Sequence, residues 1–267
     1  MDVLQAIILG ILQGLTEFLP VSSTAHLTLA GRAFGLIDDT RPEDWTAFLA
    51  VVQMGTLAAV VWYFWRDLLG IARGFAPGGT RDARKLGWLL VLGTLPIGIV
   101  GLLLRDVIEG PLTKDLRVIG TTLIALALLL ALADRVGRRE RSIGTLGWRD
   151  ALLVGSVQVL SLIPGASRAG TTLTGGLFAG LTREAAARFS FLLSVPAIAA
   201  SGLFELPAAL ALGREDVLGL LIATLAAAVS GYAAIAFMLR YLRTHSTLVF
   251  VVYRLALGAA VLAWALA

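Results

Sequence analysis

Glu17-Phe18-Leu19-Pro20-Val21-Ser22-Ser23 interrupts an apolar stretch that runs from Val3 to Gly31, and Ile163-Pro164-Gly165-Ala166-Ser167-Arg168 interrupts a second one from Ala151 to Leu181. A bilayer crossing takes about 20 apolar residues, so each stretch could make one straight crossing or two half-helices that enter and leave by one face. Proline lacks a backbone donor and disfavours helix at the residue before it, which breaks both stretches at their centres. In each, a serine then stands where a new helix needs an N-cap. Ser22 or Ser23 precedes Thr24-Ala25-His26-Leu27, and Ser167 precedes Arg168-Ala169-Gly170-Thr171. The pattern predicts two broken helical hairpins.

The rest of the chain is mostly apolar. Its 267 residues are 58% hydrophobic and 15% charged, with no cysteine, and the mean hydropathy is +0.86. A soluble domain carries about 45–50% apolar and about 25% charged residues, so this composition places the chain in a bilayer. Without cysteine, disulfides, thiolate metal sites and cysteine nucleophiles are excluded. Six segments read as full spans: 46–65, 86–104, 118–133, 185–207, 217–239 and 248–267.

Loop charges alternate. Loop 66–85 holds Arg66, Arg73, Arg81, Arg84 and Lys85, loop 134–150 holds five arginines, and 240–247 holds Arg240 and Arg243, so these face inward. Segments 31–45 and 105–117 are acidic or balanced and face out. The net charge of +4 therefore reflects inside loops rather than a nucleic-acid surface, and no nucleic-acid partner is expected. Six spans fit this alternation only if both broken stretches are re-entrant, the first dipping from outside and the second from inside.

A shift of 144 residues lays Leu19-Pro20-Val21-Ser22-Ser23 on Ile163-Pro164-Gly165-Ala166-Ser167 and Gly31 on Gly175. The expected fold is thus an all-α integral membrane protein with an inverted-topology repeat, each half one re-entrant hairpin plus three spans. Residues 1–267 form a single membrane domain whose halves, 1–133 and 151–267, are joined by a basic cytoplasmic loop, 134–150. Asp2 stands where a signal peptide would have its basic region, so the N-terminus reads as mature sequence.

Ionisable groups at membrane depth are costly and point to function, which singles out Glu17 and Arg168. They could simply neutralise one another across a cavity. The breaks offer more than that. Two helix N-termini aimed at the bilayer centre form an anion site, with Gly165, Ala166 and Gly170 allowing close approach to the backbone and Arg168 supplying a fork suited to phosphate. Ser22, Ser23, Thr24, Ser167 and Thr171 add hydroxyls. His26 stands three residues after Ser23 on one helix face, so Glu17, Ser23, His26 and Arg168 are the candidate catalytic groups. Gln13, four residues before Glu17, is a candidate substrate ligand. Gln13 and Glu17 could also share a hydrated Mg²⁺ or Ca²⁺ held mostly by diphosphate oxygens. His245 reads as a headgroup-side residue, and Glu205 as a snorkelling, packing or site residue near the outer end of its span.

The sequence Leu12-Gln13-Gly14-Leu15-Thr16-Glu17-Phe18-Leu19-Pro20-Val21-Ser22-Ser23-Thr24-Ala25-His26-Leu27, together with Pro164-Gly165-Ala166-Ser167-Arg168-Ala169-Gly170-Thr171-Thr172, resembles the undecaprenyl-diphosphate phosphatase family, bacitracin-resistance type. The likeness continues through Gln53-Met54-Gly55, Thr94-Leu95-Pro96, Arg183 to Phe191 and Leu239 to Arg243. It implies a metal-dependent enzyme of the bacterial plasma membrane, with its site open to the outer side. The enzyme would hydrolyse undecaprenyl diphosphate to the monophosphate and inorganic phosphate, recycling the lipid carrier for cell-wall synthesis and conferring bacitracin resistance. A homodimer is compatible with the resemblance.

The family's E/Q-x-x-x-E motif falls on Gln13 and Glu17, its serine and histidine on Ser23 and His26, and its P-G-x-S-R on Pro164 to Arg168. Members commonly carry serine where this chain has Ala169, and many have an acid near Leu49. Ala169 therefore cannot supply a phosphate hydroxyl, and the resemblance carries over no metal role near position 49. On this reading Ser23 attacks phosphorus with His26 or Glu17 handling the proton, or water attacks directly. The rival reading is a transporter or flippase for an anionic polyprenyl lipid, since broken inverted repeats are also a transport architecture.

Overall fold

The computed structural model describes residues 1–38, 40, 42–204 and 217–266. Among these, the chain is helical throughout, without a strand, and twelve α-helices carry the fold. Six are long and apolar enough to cross a membrane: α3 (Pro42–Tyr63), α5 (Arg81–Leu103), α7 (Leu116–Val136), α10 (Arg183–Phe204), α11 (Val217–Tyr241) and α12 (Leu248–Leu266). They fall on the six expected spans. Glu205 and the end of the expected span 185–207 lie outside the described residues.

α7 runs past both ends of the expected 118–133. Asp115 caps it at one end, accepting from the Arg117 amide. At the other, Asp134 does not end the helix but is buried in it, held by Arg183 Nε at 2.6 Å and by the Thr247 amide and hydroxyl at 3.0 and 2.9 Å. A carboxylate with three donors no longer needs water, so the helix continues.

The two broken stretches are helix pairs. α1 (Val3–Phe18) packs on α2 (Ser23–Ala33), and α8 (Trp148–Gln158) packs on α9 (Arg168–Phe178). Leu19 and Ile163, each preceding a proline, take extended backbone that ends the incoming segment. Both outgoing helices then start at a serine with positive φ, +76° at Ser22 and +69° at Ser167. Each serine Oγ accepts an amide three residues on, from Ala25 at 3.3 Å and Gly170 at 3.1 Å. The structural match is thus Ser22 with Ser167, one residue out from the sequence match of Ser23 with Ser167. The sequence alignment followed identical letters, whereas the cap is set by backbone geometry.

Glycines let these pieces close on the long spans. A Cβ at Gly14 of α1 would collide with Ser230 Oγ of α11, and one at Gly155 of α8 with the Gly93 carbonyl of α5. The apolar core centres on α10, whose buried Phe191 meets Phe18 edge-on at 5.3 Å between ring centroids. Outward faces are apolar as well. Leu221, Leu225, Val229 and Tyr232 line one exposed side of α11, at a spacing that suits lipid contact. On the basic side, Arg141 forks onto Asp150 at 2.9 and 2.7 Å, and Asp150 also accepts the Gly147 amide that opens α8. These bonds from Arg141, above all, hold the Asp150 carboxyl below its ordinary pKa.

Candidate active site

The two turn tips meet. Glu17, at the end of α1, is 4% exposed and contacts Arg168, the first residue of α9, at 2.8 Å between Oε1 and Nη2. The other three partners of the carboxylate are Gln53 Nε2 of α3 on Oε1 at 3.1 Å, and Gln13 Nε2 at 3.1 Å and Ser23 Oγ at 2.7 Å on Oε2. Four donors around one carboxylate fix its position inside the bundle. Arg168 is satisfied differently. Its Nε and Nη1 are buried without a hydrogen-bond partner. Orphaned donors of this kind are costly, and an anion lodged between the tips would satisfy them.

A third element joins the tips. Arg254 of α12 is fully buried, and every bond it makes is to a main-chain carbonyl: Pro20 at 3.3 Å, Gly165 at 3.1 Å, Ala166 at 3.0 Å and Leu123 at 3.3 Å. A Cβ at Gly170 would lie 2.8 Å from Arg254 Nη1, so residue 170 must stay small to seat this guanidinium. Two arginines therefore face one carboxylate at the tips. The imbalance is one positive charge, to which the N-terminal dipoles of α2 and α9 add. Such a site favours an anion.

A cavity of about 400 Å³ opens beside the tips. Of the residues expected at the site, Glu17, Ser22, Ser23, Thr24, Gly165, Ser167 and Arg168 line it. Gln13 sits behind Glu17, and Ala166 and Gly170 behind the second tip, against Arg254. Thr171 is buried and spends its hydroxyl on the Arg168 carbonyl at 2.9 Å. His26 also stands off the cavity. Its Nδ1 meets the Ser22 carbonyl at 2.7 Å and its Nε2 the Tyr253 hydroxyl at 2.6 Å. The cavity wall continues through Leu49, Ile97, Gly98, Gly101 and Leu102 and reaches Arg105 and Lys114. Leu49 contributes apolar surface to this wall.

Gln53, Tyr253 and Arg254 are site residues that the residue chemistry did not single out. Arg254 had a signal: it is the only charged residue in 248–267. His245 stays with the basic side, stacked on Tyr241 at 4.5 Å.

Comparison with known proteins agrees with the motifs. The family model for Bacitracin resistance protein BacA matches residues 6–260. The undecaprenyl-diphosphatase of Syntrophobacter fumaroxidans is 54% identical over 98% of this chain and 97% of its own. That of Myxococcus xanthus is 51% identical over 97% and 87%, and that of Chlorobium limicola 47% identical over 98% and 96%. With the tip motifs, the spans and these identities running together over nearly its whole length, the chain belongs to the bacitracin resistance protein BacA family.

Proposed function

We propose that the chain hydrolyses undecaprenyl diphosphate to undecaprenyl phosphate and inorganic phosphate at the meeting point of the two tips. One observation carries this reading: Ser23 Oγ donates to Glu17 at 2.7 Å beside an Arg168 guanidinium with two unpartnered nitrogens. Nucleophile, base and phosphate fork are thus assembled in one cavity.

The hairpins enter the bilayer from opposite sides, and the cavity faces outward. Supporting this, the packing pairs match between halves. α1 packs on α11 as α8 packs on α5, and α3 packs on α11 as α10 packs on α5. Gln13 and Gln158, each buried, occupy the same place in α1 and α8. The apolar wall by Gly98 and Gly101 leaves room for an isoprenoid tail to pass into lipid.

In the reaction, the terminal phosphate takes Arg168 Nε and Nη1 and the amides at the start of α9. Drawing Arg168 toward phosphate loosens its hold on Glu17 Oε1, which raises the basicity of the carboxylate when a base is needed. Ser23 Oγ attacks the terminal phosphorus and its proton passes to Glu17. The bond to the bridging oxygen breaks, and that oxygen leaves with the electron pair on the lipid monophosphate. Water then attacks the phosphoserine, Glu17 returns its proton to the departing Oγ and takes one from the water, and that proton passes to solvent as inorganic phosphate departs. Positioning and charge stabilisation supply most of the acceleration in phosphoryl transfer.

Glu17 is the only carboxylate among the described residues lining the cavity, and no group of three acids or histidines gathers elsewhere in them. One carboxylate with amide and hydroxyl oxygens suits a hard cation brought in largely by diphosphate. Glu17 and Gln13 would hold Mg²⁺ or Ca²⁺, which when bound neutralises charge on the phosphates.

The test is phosphate release from undecaprenyl diphosphate by purified protein in detergent with Mg²⁺ or Ca²⁺ added. Release identifies a phosphatase, and a chain that only carries lipid across a membrane releases none. A phosphoserine trapped by acid quench and mapped to residue 23 supports Ser23 as nucleophile; turnover without it assigns the attack to water.

A further inference from the structure

We infer that His26 is a positioning residue, which with Tyr253 holds the strained cap of α2 and leaves proton transfer to Glu17; this rests on the hydrolytic reading above. The comparison is internal. α2 and α9 each have eleven residues and start at a serine with positive φ. A left-handed backbone at serine is sparsely populated and needs support. In α9 the main chain provides it, as the Thr171 amide donates to the Ser167 carbonyl at 2.9 Å. At the matching place in α2 this bond is stretched to 3.4 Å between the His26 amide and the Ser22 carbonyl. There His26 Nδ1 approaches the same carbonyl at 2.7 Å, so the imidazole supplies what the backbone does not.

The protonation pattern follows from the partners. A carbonyl oxygen only accepts, so Nδ1 carries a proton, and in the neutral ring Nε2 then accepts from the Tyr253 hydroxyl at 2.6 Å. The two rings lie nearly parallel, 7° apart in plane. Both ring nitrogens are thereby spent away from the cavity, while Ser23 Oγ donates to Glu17. His26 acts through Ser22, which sets the first turn of α2 and with it the placement of Ser23. Tyr253 precedes Arg254, so neighbouring residues of α12 steady the first tip, one through His26 and one through the Pro20 carbonyl.

Asn places its side-chain nitrogen where Nδ1 stands, but it cannot titrate. His26→Asn is expected to keep kcat within about fivefold of wild type with the acid limb of its pH profile unchanged, whereas His26→Leu, which leaves the Ser22 carbonyl only the stretched bond from the residue-26 amide, loses at least about fiftyfold, mainly in kcat. An Asn variant that stays folded yet falls as far as Leu, or a Leu variant with wild-type kcat, overturns the inference. Should the Leu variant aggregate, His26→Gln takes its place, because its donor reaches toward Nε2 and misses Ser22. A second measurement does not need turnover. The chain has two histidines, so ¹⁵N spectra of His245→Gln report His26 alone. They should show the ring protonated at Nδ1, and protonation at Nε2 alone overturns the inference. Wild-type protein that releases no phosphate would overturn the hydrolytic reading, while the tautomer still decides the role of His26.

Discussion

Replacing Arg254 with methionine tests the meeting of the two tips directly. The substitution keeps most of the side-chain volume but removes a guanidinium that donates to four carbonyls. The Leu123 carbonyl lies within α7 and retains its helical partner. Those of Pro20, Gly165 and Ala166 lie outside the helices and have no other donor. Leaving a buried acceptor unpaired costs about 1–3 kcal/mol. Three such groups set an upper range near 9 kcal/mol, which water entering from the adjacent cavity reduces. A net loss of about 3–5 kcal/mol is expected, in the range for breaking a buried charged network. Against the roughly 5–15 kcal/mol that holds a typical domain, that is a large share. Arg254→Lys keeps the charge but can reach fewer carbonyls and should fall between wild type and methionine. Unfolding in detergent gives the stability, and phosphate release gives kcat, which should fall with it as the tips separate. An Arg254→Met protein within 1 kcal/mol of wild type and within about twofold in kcat would show that the carbonyl clamp does not hold the site together.

Arg168→Ala and Glu17→Ala are each expected to lose about 2–4 kcal/mol of transition-state stabilisation, a drop of about 30-fold to 10³-fold in kcat/KM measured by phosphate release. The double variant Glu17→Gln/Arg168→Met should remain as inactive as the single ones, and recovered activity would mean that the pair serves only to neutralise itself. Gly98 has open space where a side chain would stand, so Gly98→Phe should lower kcat/KM for undecaprenyl diphosphate about tenfold relative to a short-chain diphosphate. An unchanged ratio would move the tail elsewhere. Asp150→Ala loses both the Arg141 fork and the α8 cap and should cost about 1–2 kcal/mol at neutral pH, read from unfolding in detergent. Because folding lowers the pKa of Asp150, its contribution is present above the ordinary aspartate value of about 4 and is lost as pH falls through the lower folded value. The gap between variant and wild type should therefore narrow in acid.

Much of the architecture was legible because it follows from hydropathy and proline alone. The six spans and both breaks are one-dimensional signals, and so is the pairing of Glu17 with Arg168 once each is recognised as a charge at a break. What could not be read depends on the third dimension. Ser22 and Ser23 are chemically alike, and only the backbone decides that Ser22 takes the strained cap while Ser23 is free to meet Glu17. His26 shares a helix face with Ser23, yet its ring turns to Tyr253, a residue more than two hundred positions away. Helical spacing gives a neighbour but not a direction. Gln53 enters the sequence reading only within the likeness Gln53-Met54-Gly55, and its purpose appears where α3 passes Glu17. Arg254 is the instructive omission. Glu17 and Arg168 are charges at breaks, whereas this arginine stands inside an unbroken helix and finds its acceptors in the breaks of two others.

That arrangement also explains why the polar groups tolerate burial. A buried turn exposes carbonyls and amides that apolar surroundings cannot satisfy. Here the incoming ends of both hairpins present carbonyls, and Arg254 satisfies them from α12. The outgoing ends present amides, of which the Ser22 and Ser167 hydroxyls take one each. Among the side chains of the two turns, 17–23 and 163–168, the buried atoms left without a partner are both donors, Nε and Nη1 of Arg168. The same rule that makes broken helices costly therefore sorts their loose ends, pairing the acceptors internally and leaving donors for a ligand. A phosphate, carrying only acceptors and negative charge, completes the set, and a cation alone could not.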